Sequence, residues 1–220
     1  KGDLAPAVTS LTKLVQQRPD ILEARSLLAD ALRRQGKLDE ALAVYDATEK
    51  AFPRLPTISM FRGMILSQQK KLPEARKAFE RAVELAPTFF GAVEQLVLLD
   101  QSEKKPDAAR SRVEALIAKS PKSAEGYVLL ARVMLAQKDQ KLAEMALQKA
   151  IAVQPDAPVA YRMLAGLQIG NNEADKALVN LQALVTKNPK DGEALIMLSS
   201  IHQRQGNHAA PRLGHPVDLH

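Results

Sequence analysis

The chain contains no cysteine and no tryptophan, and aromatic residues make up only 4% of its 220 residues. The lack of cysteine excludes disulfide bonds, a thiolate nucleophile and cysteine-ligated zinc. A core with so few aromatic side chains must be built from Ala, Leu, Val and Met, which favours closely packed helices over a sandwich or a barrel. No apolar run approaches the roughly 18 residues that a membrane-spanning helix needs, so no membrane span is predicted.

The excess of positive charge is small. The formal net charge is +6, with 25% charged and 46% hydrophobic residues, which is typical of a folded globular protein. A nucleic-acid-binding protein more often gathers its positive charge into one dense stripe. No nucleic-acid partner is therefore expected.

Four columns of residues recur at an interval of 34 positions. The first column contains the prolines Pro19, Pro53, Pro87, Pro121, Pro155 and Pro189. The second contains the alanines Ala7, Ala41, Ala75, Ala109, Ala143 and Ala177. The third contains the bulkier residues Leu11, Tyr45, Phe79, Val113, Leu147 and Leu181, and the fourth the mostly small residues Ala29, Gly63, Val97, Ala131, Ala165 and Ser199. Columns that share one period and one phase predict a repeat protein.

Each repeat is predicted to form two helices. In the fourth repeat, residues 125–137 carry Leu130, Val133 and Met134 at the spacing of an amphipathic helix. A polar turn at 138–140 precedes a second helix over 141–153, which contributes the apolar residues Leu142, Met145, Ala146, Leu147, Ala150 and Ile151. Pro155 ends this helix, because proline has no N–H and disfavours helix in the residue before it.

This unit resembles the tetratricopeptide repeat, and the stretch GYVLLARVMLAQKDQKLAEMALQKAIAVQPD, from Gly126 to Asp156, carries the likeness best. The resemblance implies an all-α fold, a right-handed α-solenoid of 34-residue helix–turn–helix repeats. On this register the complete repeats are 22–55, 56–89, 90–123, 124–157 and 158–191. Residues 1–21 form the second helix of a truncated repeat, and 192–210 form the first helix of a sixth.

Residues 211–220 are predicted to be a non-repeat tail, because Pro211 stands where the alanine column requires Ala and proline inside a helix costs about 3 kcal/mol. The chain is therefore expected to be an excerpt of a longer array. Its uncapped apolar ends are expected to promote self-association.

Three polar residues interrupt apolar columns. Arg62 stands among leucines, Asp100 replaces Leu or Met, and Ser59 replaces Tyr. We interpret Arg62 as an arginine whose stem is buried while its head reaches water. The second and third repeats are expected either to pack less tightly or to use these polar groups at the binding groove.

No catalytic arrangement is found, and the chain is predicted not to be an enzyme and to need no cofactor. All four histidines, His202, His208, His215 and His220, lie in the last 19 positions, at spacings that do not place a pair on one helical face. No metal site is therefore expected. Glycine-rich phosphate-binding loops are also absent.

A set of basic residues falls on turns and second helices, which in this family form the outer, convex side. Its members are Lys70, Lys71, Arg76, Lys77, Lys104, Lys105, Arg110 and Arg112. We expect a solvated surface, with binding of an anionic partner as the alternative.

The resemblance implies that the first helices line a concave groove in which a partner peptide binds. The inward positions are Glu23, Ser26, Asp30, Met60, Met64, Glu94, Leu98, Val128, Arg132, Leu135, Val159, Arg162, Gly166, Ile169, Ile196 and Ser200. Arg132 and Arg162 could together bind a carboxylate or phosphate, or could pair with nearby acids instead. Ser26 and Asp30 stand where chaperone-binding relatives have a Lys and an Asn, which argues against a chaperone-tail receptor.

The leading hypothesis is a non-enzymatic scaffold that binds a protein or peptide segment in this groove. The alternative is a regulatory or substrate-docking array of a larger enzyme, such as a glycosyl- or sulfotransferase, whose catalytic domain lies outside these residues. The compartment is left open, between the cytoplasm and the bacterial periplasm or envelope.

Overall fold

A computed structural model describes residues 4–206, and all regular secondary structure in that range is α-helical. The twelve helices are α1 Ala5–Gln17, α2 Leu22–Arg34, α3 Leu38–Ala51, α4 Pro56–Gln68, α5 Leu72–Leu85, α6 Phe90–Ser102, α7 Pro106–Lys119, α8 Ala124–Ala136, α9 Gln140–Val153, α10 Pro158–Gly170, α11 Ala174–Lys187 and α12 Gly192–Arg204. Within the described range, no helix is both long and apolar enough to cross a membrane. The predicted tail, with His208, His215 and His220, lies outside the described residues.

The helices alternate between two classes that recur every 34 residues. The even-numbered first helices begin at residues 22, 56, 90, 124, 158 and 192, and the second helices from α3 onward begin at 38, 72, 106, 140 and 174. This confirms the predicted all-α fold of helix–turn–helix repeats. Helix α9 begins one residue earlier than predicted, at Gln140. The side chain of Asp139 caps it by accepting a hydrogen bond from the Leu142 amide at 3.0 Å.

The proline column marks the ends of the second helices. Each second helix ends two residues before its proline, as α3 ends at Ala51 before Pro53 and α9 ends at Val153 before Pro155. The intervening residues have left the helical region, with ψ 66° at Phe52 and 91° at Gln154. Proline disfavours helical ψ in the residue before it, so the column sets where each repeat ends.

The ends of the first helices are marked by a different repeating feature, a residue with a positive φ angle. This feature is visible only in the backbone conformation. Residues with positive φ occur at Gly36, Lys70, Lys104, Lys138, Asn172 and Gly206. In the second repeat the Lys71 amide donates to the Leu66 carbonyl at 2.9 Å, and the Lys70 amide donates to the Ser67 carbonyl at 3.0 Å. This is the Schellman arrangement, in which a left-handed residue lets two amides satisfy carbonyls at the helix end.

The chain divides into two compact units, residues 4–112 and 113–206 of the described range. In the first unit, one buried cluster is built around Leu28, Tyr45 and Ile58 and a second around Phe79 and Leu96. In the second unit, a cluster around Tyr161, Leu181 and Leu198 joins α10, α11 and α12.

The small and bulky columns pack against each other inside the repeats. The alanines from Ala41 to Ala177 in the alanine column are 0% exposed, and Phe79 and Leu181 in the bulky column are also 0% exposed. At Phe79 the small partner is a glycine: a Cβ on Gly63 would lie 2.6 Å from Cε1 of Phe79. Two residues differ from the other members of their columns in burial: Ala7 on α1 and Ser199 on α12 are exposed.

The interior differs from the sequence predictions at three points. Asp100 is 1% exposed and does not reach a groove. Instead, it accepts from Arg76 and Arg112, with N–O distances of 2.8 and 2.6 Å, so these two arginines belong to an internal ion pair and not to a solvated outer face. Met145, predicted to pack inside the fourth repeat, is 55% exposed.

Arg62 is paired instead of simply reaching water. Its Nε lies 2.5 Å from Asp46 Oδ1 and 3.7 Å from Glu49 Oε2, and its side chain is 30% exposed. The hydroxyl of Ser59 donates to Glu49 at 2.6 Å. The polar residues Arg62 and Ser59 of the second repeat therefore bind acidic residues of the first repeat across the α3–α4 junction.

Candidate functional site

An open pocket of about 350 Å³ lies in the first unit, between the first helices α2 and α4. Its lining residues are Glu23, Ser26, Leu27, Asp30 and Arg33 from α2, Tyr45 from α3, and Phe61, Met64 and Ile65 from α4. Four of the predicted groove residues therefore meet here: Glu23, Ser26, Asp30 and Met64.

The apolar wall of the pocket is exposed to solvent. Leu27 is 52% exposed and Phe61 is 36% exposed, and the two occupy the same position in successive repeats. The ring of Phe61 stacks on Tyr45, with centroids 5.8 Å apart and planes inclined by 22°. Exposed apolar side chains gathered in a concavity are typical of a binding surface.

The charged residues of the pocket differ in how far they are neutralised. Asp30 accepts from Arg33 Nη2 at 2.6 Å on one oxygen and from Arg34 Nε at 2.7 Å on the other. Glu23, at the first turn of α2, is exposed and has no ion pair or hydrogen bond within residues 4–206. The pocket therefore contains one carboxylate that is already paired and one that is available.

Tyr45 places a phenol at the inner wall of the pocket. The residue is 5% exposed, and its hydroxyl makes no hydrogen bond within the described residues. Burial, together with the nearby charge of Asp30, raises the pKa of Tyr45 to about 12. The phenol thus stays protonated at neutral pH and can donate a hydrogen bond.

The remaining predicted groove residues of this unit lie outside the pocket. Met60 is half-buried and packs on the cluster around Phe79, with its sulfur directed at Gly91. On α6, Glu94 is half-buried and Leu98 is 52% exposed.

Sequence reasoning missed Leu27, Arg33, Tyr45, Phe61 and Ile65 as pocket residues. The shared repeat position of Leu27 and Phe61 was a usable signal for the apolar wall. Tyr45 belonged to the bulky column and was therefore assigned only to the core.

In the second unit, Arg162 is already paired with acidic residues, whereas the predicted carboxylate or phosphate site needs it together with Arg132. Its Nη1 lies 2.5 Å from Asp191 Oδ2 and its Nε lies 2.8 Å from Glu193 Oε2. Asp191 is 8% exposed and also caps α12 by accepting from the Ala194 amide at 3.0 Å. Arg162 therefore joins α10 to the start of α12, which is the pairing with nearby acids left open as the alternative. Arg132, on α8, is exposed.

The other predicted groove positions of the second unit vary widely in exposure. Val128 is 8% exposed and belongs to the interior, because α8 packs closely on its neighbours. Ile196 and Val159 are 70% and 38% exposed. Gly166 and Ser200 are exposed, whereas Leu135 and Ile169 are half-buried.

Between residues 4 and 206, no group of three or more His, Cys, Asp or Glu side chains is placed to hold a metal ion. His202, the one histidine in that range, lies half-buried on α12.

Two sequence models of the tetratricopeptide repeat match the chain. One matches residues 1–56 and 27–88, and the other matches residues 101–167. No individually curated protein sequence gives a significant match.

Solved structures of similar fold cover most of the chain. A tetratricopeptide repeat protein from Parabacteroides merdae ATCC 43184 is 20% identical with a TM-score of 0.63, covering 94% of this chain and 82% of its own. PilW, described as a widely conserved type IV pilus biogenesis factor, is 19% identical with a TM-score of 0.62, covering 86% and 87%. MamA from Desulfovibrio magneticus RS-1 is 19% identical with a TM-score of 0.56, covering 77% of this chain and 97% of its own. At these identities the likeness concerns the fold alone.

Proposed function

This chain belongs to the tetratricopeptide repeat family, and on that premise we propose that it is a non-enzymatic scaffold that binds a peptide or protein segment along its first helices. The pocket between α2 and α4 is the principal binding site in this proposal. The exposed first-helix residues of the second unit, such as Val159 and Ile196, are secondary contacts.

The exposed apolar wall of the pocket is the observation that supports this proposal. Leu27 and Phe61 stand 52% and 36% exposed beside a concavity of about 350 Å³. Because each side chain is already partly buried, covering its remaining exposed surface with a partner contributes about 1 kcal/mol. A bulky partner side chain is thus the occupant that gains most from this surface.

The test is selection of peptides from a displayed random library on the purified chain. The selected peptides are then measured against Leu27→Ser and Phe61→Ser, with Met145→Ser as the control. Met145 is 55% exposed and Leu27 is 52% exposed, so the two substitutions remove similar exposed apolar surface, but only Leu27 lines the pocket.

We expect Phe61→Ser to weaken binding of the selected peptides by about tenfold, Leu27→Ser by somewhat less, and Met145→Ser to leave it unchanged. Circular dichroism checks that each variant retains its helices. Failure to select any peptide, or equal binding to all three variants, would reject the pocket as the site.

A further inference from the structure

We propose that the pocket between α2 and α4 recognises a basic–apolar peptide: a bulky apolar side chain seated between Leu27 and Phe61, next to a Lys or Arg that pairs with Glu23. This rests on the proposed function and adds the chemistry of the partner.

The charge of the pocket points to a cation. Both carboxylate oxygens of Asp30 are occupied by Arg33 and Arg34. Glu23 also lines the pocket and is exposed, and its negative charge is not balanced by an ion pair within residues 4–206. A cationic side chain is attracted to such a rim, whereas an acidic one is repelled.

The arginines beside the pocket are already engaged by Asp30. Arg33 directs both Nε and Nη2 to Asp30 Oδ1, at 3.2 and 2.6 Å. Arg34 directs its Nε to the other oxygen of Asp30. To bind a partner carboxylate through these same atoms, the arginines would have to release Asp30, which is 37% exposed and close to Tyr45.

The inner wall offers a place for the peptide backbone. Tyr45 is more than nine-tenths buried, and its hydroxyl makes no hydrogen bond among the described residues. Ser26, on α2, also lines the pocket. A main-chain carbonyl of the ligand would accept from the Tyr45 hydroxyl, so that the apolar anchor and the cation are held on opposite sides of one hydrogen bond.

The size of the pocket suits a single anchor. A volume of about 350 Å³ is at the lower end of the roughly 300–1,000 Å³ found for ligand sites. We infer that one large side chain and its immediate neighbours fill it, while the rest of the peptide passes along the first helices.

The test is a charge swap on peptides selected from the displayed library. We expect Lys or Arg to be enriched next to the apolar anchor. Glu23→Gln should weaken these peptides about threefold and Glu23→Lys more strongly. Replacing the enriched Lys by Glu in a synthetic peptide should restore its binding to the Glu23→Lys variant.

Glu125→Lys is the matched control, because Glu125 is exposed at the same repeat position on α8 but does not line the pocket. The Glu125→Lys substitution should leave the binding of both peptides, with Lys and with Glu, unchanged. If the selected peptides need Phe61 but lack basic residues and ignore Glu23→Lys, the proposed chemistry is wrong while the scaffold function stands. If none of them needs Phe61, both proposals fail.

Discussion

Two neighbouring helix pairs, α4–α5 and α6–α7, fill the same interior position in opposite ways. In the α4–α5 pair, Leu66 packs with Ala78 in an apolar cluster. In the α6–α7 pair, the equivalent positions are Asp100 and Arg112, whose side chains form an ion pair at 2.6 Å. Leu66 is 3% exposed and Asp100 is 1% exposed, so the aspartate is buried as deeply as the leucine.

The same correspondence recurs in the second unit. Met134 on α8 faces Ala146 on α9 in the repeat register, and both are buried. One repeat later the two positions are Gln168 and Asn180, and the Asn180 amide donates to the Gln168 side-chain oxygen at 2.9 Å. The position thus tolerates a polar residue when its partner twelve residues later changes with it, because a buried polar group is stable only with a hydrogen-bonding partner.

The largest expected effect on the free energy of unfolding comes from removing one partner of the Asp100–Arg112 ion pair. Arg112→Ala leaves Asp100 buried with Arg76 alone, and removing one partner of a buried ion pair costs about 3 kcal/mol. Chemical denaturation followed by circular dichroism measures the free energy of unfolding. Lys77→Ala, at an exposed position beside Arg76, should change it by no more than about 0.5 kcal/mol. A similar small loss in Arg112→Ala would show that Arg76 alone compensates the buried charge.

The double variant Asp100→Leu with Arg112→Ala copies the apolar pair of α4–α5 into α6–α7. We expect it to recover most of the loss and to lie within about 1 kcal/mol of the parent, because replacing a buried ion pair by apolar residues is often neutral or stabilising. The same denaturation experiment completes a double-mutant cycle. If the loss in the double variant equals the sum of the losses in Asp100→Leu and Arg112→Ala, the two positions do not compensate each other.

A smaller loss in the free energy of unfolding is expected at the uncharged Gln168–Asn180 pair. Asn180→Ala removes the donor to Gln168, which is 3% exposed, and an unsatisfied buried acceptor costs about 1–2 kcal/mol. Gln182→Ala is the control, since Gln182 is exposed on the same helix. If the two variants unfold at the same denaturant concentration, the hydrogen bond in the Gln168–Asn180 pair contributes nothing measurable.

The smallest expected effect concerns the turns, where glycine in some repeats is matched by lysine in others. Lys138 has a φ of 64°, a left-handed conformation that costs a non-glycine residue about 1–2 kcal/mol. Lys138→Gly should stabilise the protein by about 0.5 kcal/mol after the entropy of glycine in the unfolded chain is subtracted. Lys141→Gly, three residues later inside α9, should have the opposite sign. A destabilised Lys138→Gly variant would mean that the lysine side chain stabilises this turn.

The candidate site was only partly predictable. Glu23, Ser26, Asp30 and Met64 were predicted from the resemblance to the tetratricopeptide repeat, which implies that equivalent positions of the first helices line a groove. Arg162 was assigned to the same face by the same rule, but the rule carries no information about Asp191, which lies 29 positions away.

By itself, the sequence determined the class of fold, the 34-residue period and the residues at which the second helices end. These follow from local properties, namely helical periodicity and the backbone restriction that proline imposes. Only the tertiary structure decided which polar residues are buried and paired, as with Asp100 and Arg112, and which apolar residues remain exposed, as with Leu27 and Phe61. Burial depends on what another helix brings to the same place, and neither residue type nor repeat position specifies that contact.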